Sequence, residues 1–222
     1  MNRLQLCERL RQEAGVTGTL ATTVGQTGLT GRLINWIDTA YEDIQTRRHD
    51  WKFLRSEFSF NTIATVANYT AAAVALDELG EWKEDSFRVY LDNISDEQWL
   101  DCFEWSFFRD SRLLGSNASV AGRPTEFAVK PDKSLQLWAV PDDEYTVVGE
   151  YWKRAQVMTG NTGEPLFSAR FHQTIVWRAL MFFAADQEAT ALYQHAEKEF
   201  GRAFFALEND QLPMVGSHET LA

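Results

Sequence analysis

The fold is constrained most by residues 124–152, which read PTEFAVKPDKSLQLWAVPDDEYTVVGEYW. Apolar and polar residues alternate in TEFAVK, in SLQLWAV and in EYTVVGEYWKRA, as they do in half-buried antiparallel strands. Between these runs, KPDK and VPDDE place Pro and Asp where turns favour them. The segment therefore predicts three strands joined by two turns, an antiparallel β-meander without a nucleophile, a metal cluster or a phosphate-binding loop.

Helices are predicted on both sides of this meander, because apolar residues recur there at steps of three and four. Two precede it, over residues 2–14 and 30–48, and two follow it, over residues 167–185 and 189–208. Pro165 lies where a proline in the first turn of a helix would. These patterns predict an α+β fold that is mainly helical, a helical bundle with the antiparallel β-meander inserted.

The region between the early helices and the meander is harder to assign. Residues 51–60 and 87–93 predict short strands, and residues 95–114 predict a helix that begins with an S-x-x-Q capping box. Residues 61–86 match no clear pattern, and their alanine run fits either a helical turn or a loop packed on the sheet.

The patterns divide the chain into four parts. Residues 1–50 and 161–208 hold the helices of the bundle, residues 51–160 form a β-rich insertion with one helix, and residues 209–222 form an extended tail. The tail has no periodicity, and termini of this kind are usually mobile unless a partner orders them.

The formal net charge of −11 restricts the possible partners. A protein that grips nucleic acid by its phosphates uses Lys and Arg, so this chain is not expected to hold DNA tightly. An acidic surface instead repels the phosphate backbone and keeps DNA mobile, although an ordinary acidic soluble protein has the same composition. No signal-peptide pattern or membrane-spanning run is found, so we expect a cytosol-like compartment and no membrane.

No motif for catalysis or for a cofactor is found in the sequence. The four histidines lack metalloprotease spacing, and the acids Asp142–Glu144 cluster in a turn without a neighbouring base or nucleophile. Cys7 and Cys102 lie in segments predicted to be helical and indicate neither a disulfide framework nor a zinc site. We therefore expect no enzyme activity, no metal and no cofactor.

The aromatic content is high, with eight Trp and fifteen Phe in 222 residues. Large aromatic side chains are enriched both in cores and at protein–protein interfaces. The two interpretations are an aromatic-rich core and extensive contacts between subunits.

Four landmarks follow one another along the chain. They are the helix-to-strand passage Trp36–Trp51, the strand entry Gly122–Val129, the P-D-D-x-Y turn Pro141–Tyr145 and the helix Phe171–Ala184. Each is unspecific alone, but their order and spacing resemble those of the head–tail connector proteins of tailed bacteriophages, the adaptors beneath the portal. The resemblance spans residues 3–207.

The resemblance implies a structural virion protein without catalytic residues. Such adaptors are made in the host cytoplasm and assemble as a ring, commonly of twelve copies, which docks on the portal in the neck between capsid and tail. The ring extends the DNA channel, lets double-stranded DNA pass without specific binding and supports a tail or nozzle protein. Chain ends often reach into the portal or a neighbouring subunit, and the residues suggested for that contact are Leu212, Pro213, Met214 and Val215.

Acidic lining of the channel is expected from the predicted helix over residues 95–114 or from the turn before the last strand of the meander. A plain solvated surface is the other interpretation, because charged faces normally point to water. The candidate lining residues are Asp96, Glu97, Asp101 and Glu104 on the helix, and Asp142, Asp143 and Glu144 in the turn.

Two other functions stay open at this point. Another ring of the phage neck or tail, such as a tail-completion protein, fits the same features and differs only in its position in the particle. A small enzyme or regulatory α+β domain with an unrecognised pocket would instead be a compact monomer or dimer.

Overall fold

The computed structural model describes residues 1–212 and divides the chain into two compact units. The helical unit combines Met1–Leu54 with the chain from Ala155 onward, and the β unit is Arg55–Arg154. Five α-helices and eight β-strands are formed within residues 1–212. The α+β class is therefore confirmed, although the helices do not form an obvious bundle.

The helical unit holds all of the described helices but one, and each of its four helices matches a predicted segment. The helices are α1 (Arg3–Glu13), α2 (Gly28–Thr46), α3 (Trp105–Arg112), α4 (Gln173–Asp186) and α5 (Thr190–Gln211), of which α3 belongs to the β unit.

Helix α4 is the centre of the helical unit, since α1, α2 and α5 all pack against it. Its buried residues, such as Ile175, Leu180 and Phe183, lie on most of its sides, as its nearly continuous apolar sequence predicts. Helix α2 instead buries one stripe that includes Leu33 and Ile37, and its opposite face is polar.

The helix starts show how local sequence sets the boundaries. Asn2 caps α1 by accepting a hydrogen bond from the Gln5 amide at 3.0 Å, while the Gln5 side chain accepts one from the Asn2 amide at 2.9 Å. Helix α4 follows a turn of 3₁₀-helix, Ala169–Phe171, and begins only at Gln173. The prediction that Pro165 lies in its first turn is therefore wrong.

A polar cluster within the helical unit fixes the Gly- and Thr-rich loop between α1 and α2. Arg3 donates to both carboxylate oxygens of Asp38, at 2.9 and 2.5 Å, and to Thr23 Oγ1 at 3.0 Å. Asn161 Oδ1 accepts a hydrogen bond from the Thr23 amide at 2.8 Å. The bond to Asp38 is the main reason why the pKa of Arg3 is raised, so the guanidinium stays charged.

The β unit contains two sheets of four strands each. All pairings but one are antiparallel. The strands are β1 (Arg55–Asn61), β2 (Asn68–Tyr69), β3 (Leu79–Tyr90), β4 (Gln98–Trp99), β5 (Asp101–Cys102), β6 (Glu126–Val129), β7 (Leu135–Trp138) and β8 (Thr146–Lys153).

The two sheets share one core. The first sheet has the strand order β1-β8-β3-β4, and the second has the order β2-β7-β6-β5. Phe87 of β3 stacks on Phe127 of β6 with ring centroids 4.2 Å apart, so the contact joins the sheets. The other buried residues of this core are Phe58, Tyr69, Val74, Trp82, Val89, Leu100, Leu135, Leu137, Tyr145, Val147 and Tyr151.

The predicted meander is wrong in its third strand. β6 and β7 pair as a hairpin, with Glu126 opposite Trp138, but β8 leaves them and runs between β1 and β3 in the first sheet. The seven residues between Trp138 and Thr146 carry the chain from one sheet to the other. Alternating polarity predicts which face of a strand is buried, but it does not specify the neighbouring strand when two sheets share a core.

The helix predicted over residues 95–114 is wrong in its first half. β4 and β5 lie there, at the edges of different sheets, and the buried Leu100 connects them. Helix α3 begins only at Trp105 and is capped by Glu104, whose carboxylate accepts a hydrogen bond from the Phe107 amide at 3.0 Å. Apolar residues recur at helical spacing in this segment although its first half crosses from one sheet to the other and only its second half is a helix.

Two further predictions for residues 95–114 are also wrong. Ser95 does not cap a helix, because its amide donates to Asn93 Oδ1 at 2.9 Å in a turn of 3₁₀-helix. Cys102 lies in β5 and not in a helix, and burial is the main reason why the pKa of its thiol rises to about 12.

The region that matched no pattern, residues 61–86, contains β2, a turn of 3₁₀-helix over Ala72–Val74 and the first part of β3. The alanine run is therefore a helical turn. β3 begins well before the strand predicted over residues 87–93, and β1 covers the second half of the strand predicted over residues 51–60.

Candidate functional site

Four of the seven acids considered for a channel lining lie together at one end of the first sheet. Thr146, the first residue of β8, is opposite both Asn61 at the end of β1 and Tyr90 at the end of β3. The loop before β8 and the loop after β3 therefore emerge at the same end. We call the five exposed acids of these loops the acidic end; they are Asp92, Asp96, Asp142, Asp143 and Glu144.

Hydrogen bonds fix the loops of the acidic end. Arg123 Nη1 donates to Asp96 Oδ2 at 2.8 Å, and Arg123 Nη2 donates to the Val89 carbonyl oxygen at 2.7 Å. The bond from Arg123 is the main cause of the lowered pKa of Asp96. Asn61 Nδ2 donates to Glu144 Oε1 at 2.7 Å, which ties the other loop to the end of β1. These bonds position the carboxylates while the side chains stay exposed.

Tyr145 supports the acidic end from the core side. It is buried, and its hydroxyl donates to Asp142 Oδ1 at 2.7 Å. Burial is the main reason why the pKa of Tyr145 rises to about 12, and the bond and charge of Asp142 add to it. Tyr145 therefore stays protonated at neutral pH and holds Asp142 in place.

The other three acids are not part of the acidic end, although Glu97 directly follows Asp96 in the same loop. Glu97 forms an ion pair with Arg88, with the atoms 2.9 Å apart. Asp101 is exposed in β5, at the edge of the second sheet. Glu104 is occupied as the cap of α3, and hydrogen bonds from backbone amides there lower its pKa. The prediction that the first four acids share a helix is therefore wrong.

The β unit carries most of the acidic surplus of the chain. It contains ten Lys and Arg against eighteen Asp and Glu, a formal net charge of −8 out of −11. In the described part of the chain, no group of three or more His, Cys, Asp or Glu side chains is placed to hold a metal ion. This excess of negative charge can repel a phosphate backbone that approaches the acidic end.

The aromatic side chains divide between core and surface. Phe58, Trp82 and Phe87 lie in the core of the β unit. Others are largely exposed, among them Trp99 in β4 and Phe205 in α5. An exposed aromatic side chain is a common centre of protein–protein contacts, so the interface interpretation applies to this second group.

The predicted contact residues of the C-terminus are only partly described. Leu212 follows α5, and its amide donates to the Glu208 carbonyl oxygen at 2.9 Å. Pro213, Met214 and Val215 lie outside the described residues.

Comparison with known proteins adds one match. The family model described as SU10 adaptor protein matches residues 1–216, which is nearly the whole chain. No curated protein matches the chain. Of the helices in residues 1–212, none is both long and apolar enough to cross a membrane.

Proposed function

The chain belongs to the SU10 adaptor protein family, a family of phage head–tail adaptors, and from this premise we propose that it forms a ring beneath the portal. The proposed ring holds twelve copies, docks on the portal protein, extends the DNA channel and supports a tail or nozzle protein. Family membership itself makes the chain a structural phage protein and a component of the virion. The family is not one of enzymes.

The family match carries this proposal, because it extends over both the helical unit and the β unit. An acidic chain with exposed aromatic side chains fits assembly between subunits better than turnover of a small molecule. A head-to-tail contact between identical subunits generates a ring when the rotation closes, which is the symmetry that a channel requires.

Sedimentation velocity of the purified chain, with and without purified portal protein, tests the ring. We expect a complex of one ring on one portal at a fixed ratio, whether or not the free chain is monomeric. Because we propose that the segment Pro213–Val215 contacts the portal or a neighbouring subunit, a chain that ends at Leu212 should bind more weakly. Absence of any complex with the full chain would contradict the proposal.

We further propose that the acidic end lines the channel. Its carboxylates are exposed, and they converge because the strand register brings two loops to one end of the first sheet. The other three acids are a weaker choice. Glu97 is half-buried in an ion pair, Asp101 lies at the edge of the second sheet, and Glu104 caps α3. A lining of like charge keeps passing DNA from adhering.

Replacement of Asp142, Asp143 and Glu144 together by Lys is expected to make assembled rings retain DNA. Each copy would then offer three cations to the phosphates, and binding through phosphates weakens steeply as salt rises. Filter binding of a short duplex to rings, at low and at high salt, measures the effect. We expect affinity at low salt to rise about tenfold or more over the wild type.

The matched control carries the same change of charge elsewhere. Asp77, Asp110 and Glu197 are exposed and lie outside the acidic end, so their replacement by Lys should leave DNA binding close to that of the wild type. Equal retention of DNA by both triple variants would mean that only net charge matters, and the lining proposal would fail.

A further inference from the structure

The four edges of the two sheets are unequal. β1, at one edge of the first sheet, has seven residues, contains no proline and keeps an unbroken register with β8 from Arg55 to Asn61. The other three edge strands, β2, β4 and β5, have two residues each. Proteins usually shorten, bend or cover their edge strands, because a free edge is a template for pairing. β1 is therefore the longest of the four edge strands in the described part of the chain.

The register shows which backbone groups of β1 are free. The Thr62 amide donates to the Tyr145 carbonyl oxygen at 2.8 Å, so this pair belongs to the hydrogen-bonded set. Bonding residues alternate along an antiparallel pair, which makes Phe60, Phe58 and Ser56 bond to β8. The remaining residues direct their N–H and C=O groups to the free edge; they are Arg55, Glu57, Ser59 and Asn61.

The opposite edge of the first sheet, at β4, offers an apolar anchor. Ile94 is 74% exposed and Trp99 is 58% exposed. The Arg88 guanidinium lies 4.1 Å from the centre of the Trp99 ring and is itself paired with Glu97, which holds the indole in one orientation. A preorganised Trp beside an Arg has the composition of an interface hot spot.

The directions of the strands make these two edges compatible. All three pairings of the first sheet are antiparallel, so β1 and β4 run in opposite directions. A second copy placed beside the first in the same orientation therefore brings its β4 antiparallel to β1. Pairing of two β1 edges would instead need a two-fold axis and would close as a dimer.

We propose that β1 of each copy pairs with the segment around β4 of the next copy, so that the first sheets join edge to edge around the ring. This inference rests on the proposed function and names the contact that would close the ring. Arg55 and Glu57 line the same concave face as Trp99, so the Trp99 of a neighbour would lie beside them on that face. Arg55 pairs with Glu150 of its own sheet, and the neighbour's Glu97 pairs with Arg88. The approach would join these two ion pairs into one network of alternating charge across the contact.

The same arrangement agrees with the acidic lining. If both edges of the first sheet contact neighbouring copies, the strands are perpendicular to the circumference of the ring. Their ends then point along the radius or along the axis of the ring. The acidic end is one of these strand ends, so it can face the channel while both edges are covered.

The substitution Ser59→Pro tests the pairing of β1 with a neighbouring copy directly. It removes an N–H group that points to the free edge, and it removes no bond between β1 and β8. We expect the variant to keep the circular dichroism spectrum and monomer size of the wild type, while assembly into portal-bound rings falls about tenfold or more. Ser59→Ala keeps the N–H group and should assemble as the wild type. Normal assembly of a folded Ser59→Pro variant would overturn the proposal.

Cross-linking gives a second test that does not depend on a proline. With Trp99 of one copy beside Arg55 of the next, the antiparallel register places Glu97 opposite Glu57. In a Cys102→Ser background, Glu57→Cys and Glu97→Cys are therefore combined and portal-bound rings are treated with a short bismaleimide. We expect a ladder of cross-linked multimers from the double variant and none from either single variant. A dimer from Glu57→Cys alone would show two-fold pairing of β1 and overturn the proposal, as would intact rings that give no ladder. Failure of the wild type to form rings would contradict the proposed function itself.

Discussion

Phe87→Ala is expected to lower the free energy of unfolding of the β unit by about 3–5 kcal/mol. Phe87 is fully buried, and its ring centroid lies 4.2 Å from that of Phe127, 5.0 Å from that of Phe58 and 5.6 Å from that of Trp82. Since Phe87 and Phe127 belong to different sheets, the cavity would open where the sheets meet. Urea denaturation followed by circular dichroism measures the loss.

The matched control is a phenylalanine on the surface of the same unit. Phe107 in α3 is 58% exposed, so Phe107→Ala should change the free energy of unfolding by no more than about 0.5 kcal/mol. If Phe87→Ala cost less than about 1 kcal/mol, the shared core of the two sheets would not be the main source of stability in this unit.

Trp51→Ala is expected to cost about 3–5 kcal/mol in the helical unit. Trp51 is fully buried, stacks on Phe53 with centroids 5.3 Å apart and meets the ring of Phe204 edge-on at 6.0 Å. Its indole N–H also donates to the carbonyl oxygens of Ile44 and Gln45, at 3.2 and 3.1 Å. These carbonyls lie in the last turn of α2, where the helix supplies no partner for them.

Trp51→Phe separates the two contributions of this side chain. It keeps much of the packing but leaves the two carbonyl groups without their donor, which should cost about 1–3 kcal/mol. Thermal unfolding of both variants gives the comparison. A loss from Trp51→Phe as large as that from Trp51→Ala would mean that the hydrogen bonds, and not the packing, dominate.

The helices of the helical unit could be predicted because their signal is local. In α2, the spacing of Leu33, Ile37 and Ile44 reports one buried face, and α4 is apolar on most sides because other helices surround it. The failure over residues 95–114 has a physical cause as well. Trp99, Phe103 and Phe107 recur at steps of four, as on one face of a helix, but Trp99 lies in β4 and Phe107 in α3, and both are largely exposed.

The pairing of strands could not be predicted from alternation. β8 buries Val147 and Tyr151, as a strand of the meander would, but these side chains face a core to which both sheets contribute. The sequence pattern leaves three residues, 141–143, between the predicted strands, which suits a hairpin. The connection proves to have seven residues only because β7 ends at Trp138 and β8 begins at Thr146.

Four of the five acids of the acidic end were singled out from the sequence, and their role as a channel lining stays a prediction. The sequence singled out Asp96 and Asp142–Glu144, yet only the long-range register of β1, β3 and β8 brings them to one end. Asp92 and Arg123 were missed. Arg123 is the one basic residue between residues 113 and 129, and a lone cation among loops beside acidic turns was a usable signal.

A cryo-electron microscopy reconstruction of the phage neck tests most directly whether this chain works by closing into a ring. The predicted result is one ring between portal and tail, in which the first sheets of neighbouring copies meet edge to edge and the acidic ends face the lumen. A neck without this chain, or copies of it scattered without a common axis, would contradict the proposed function.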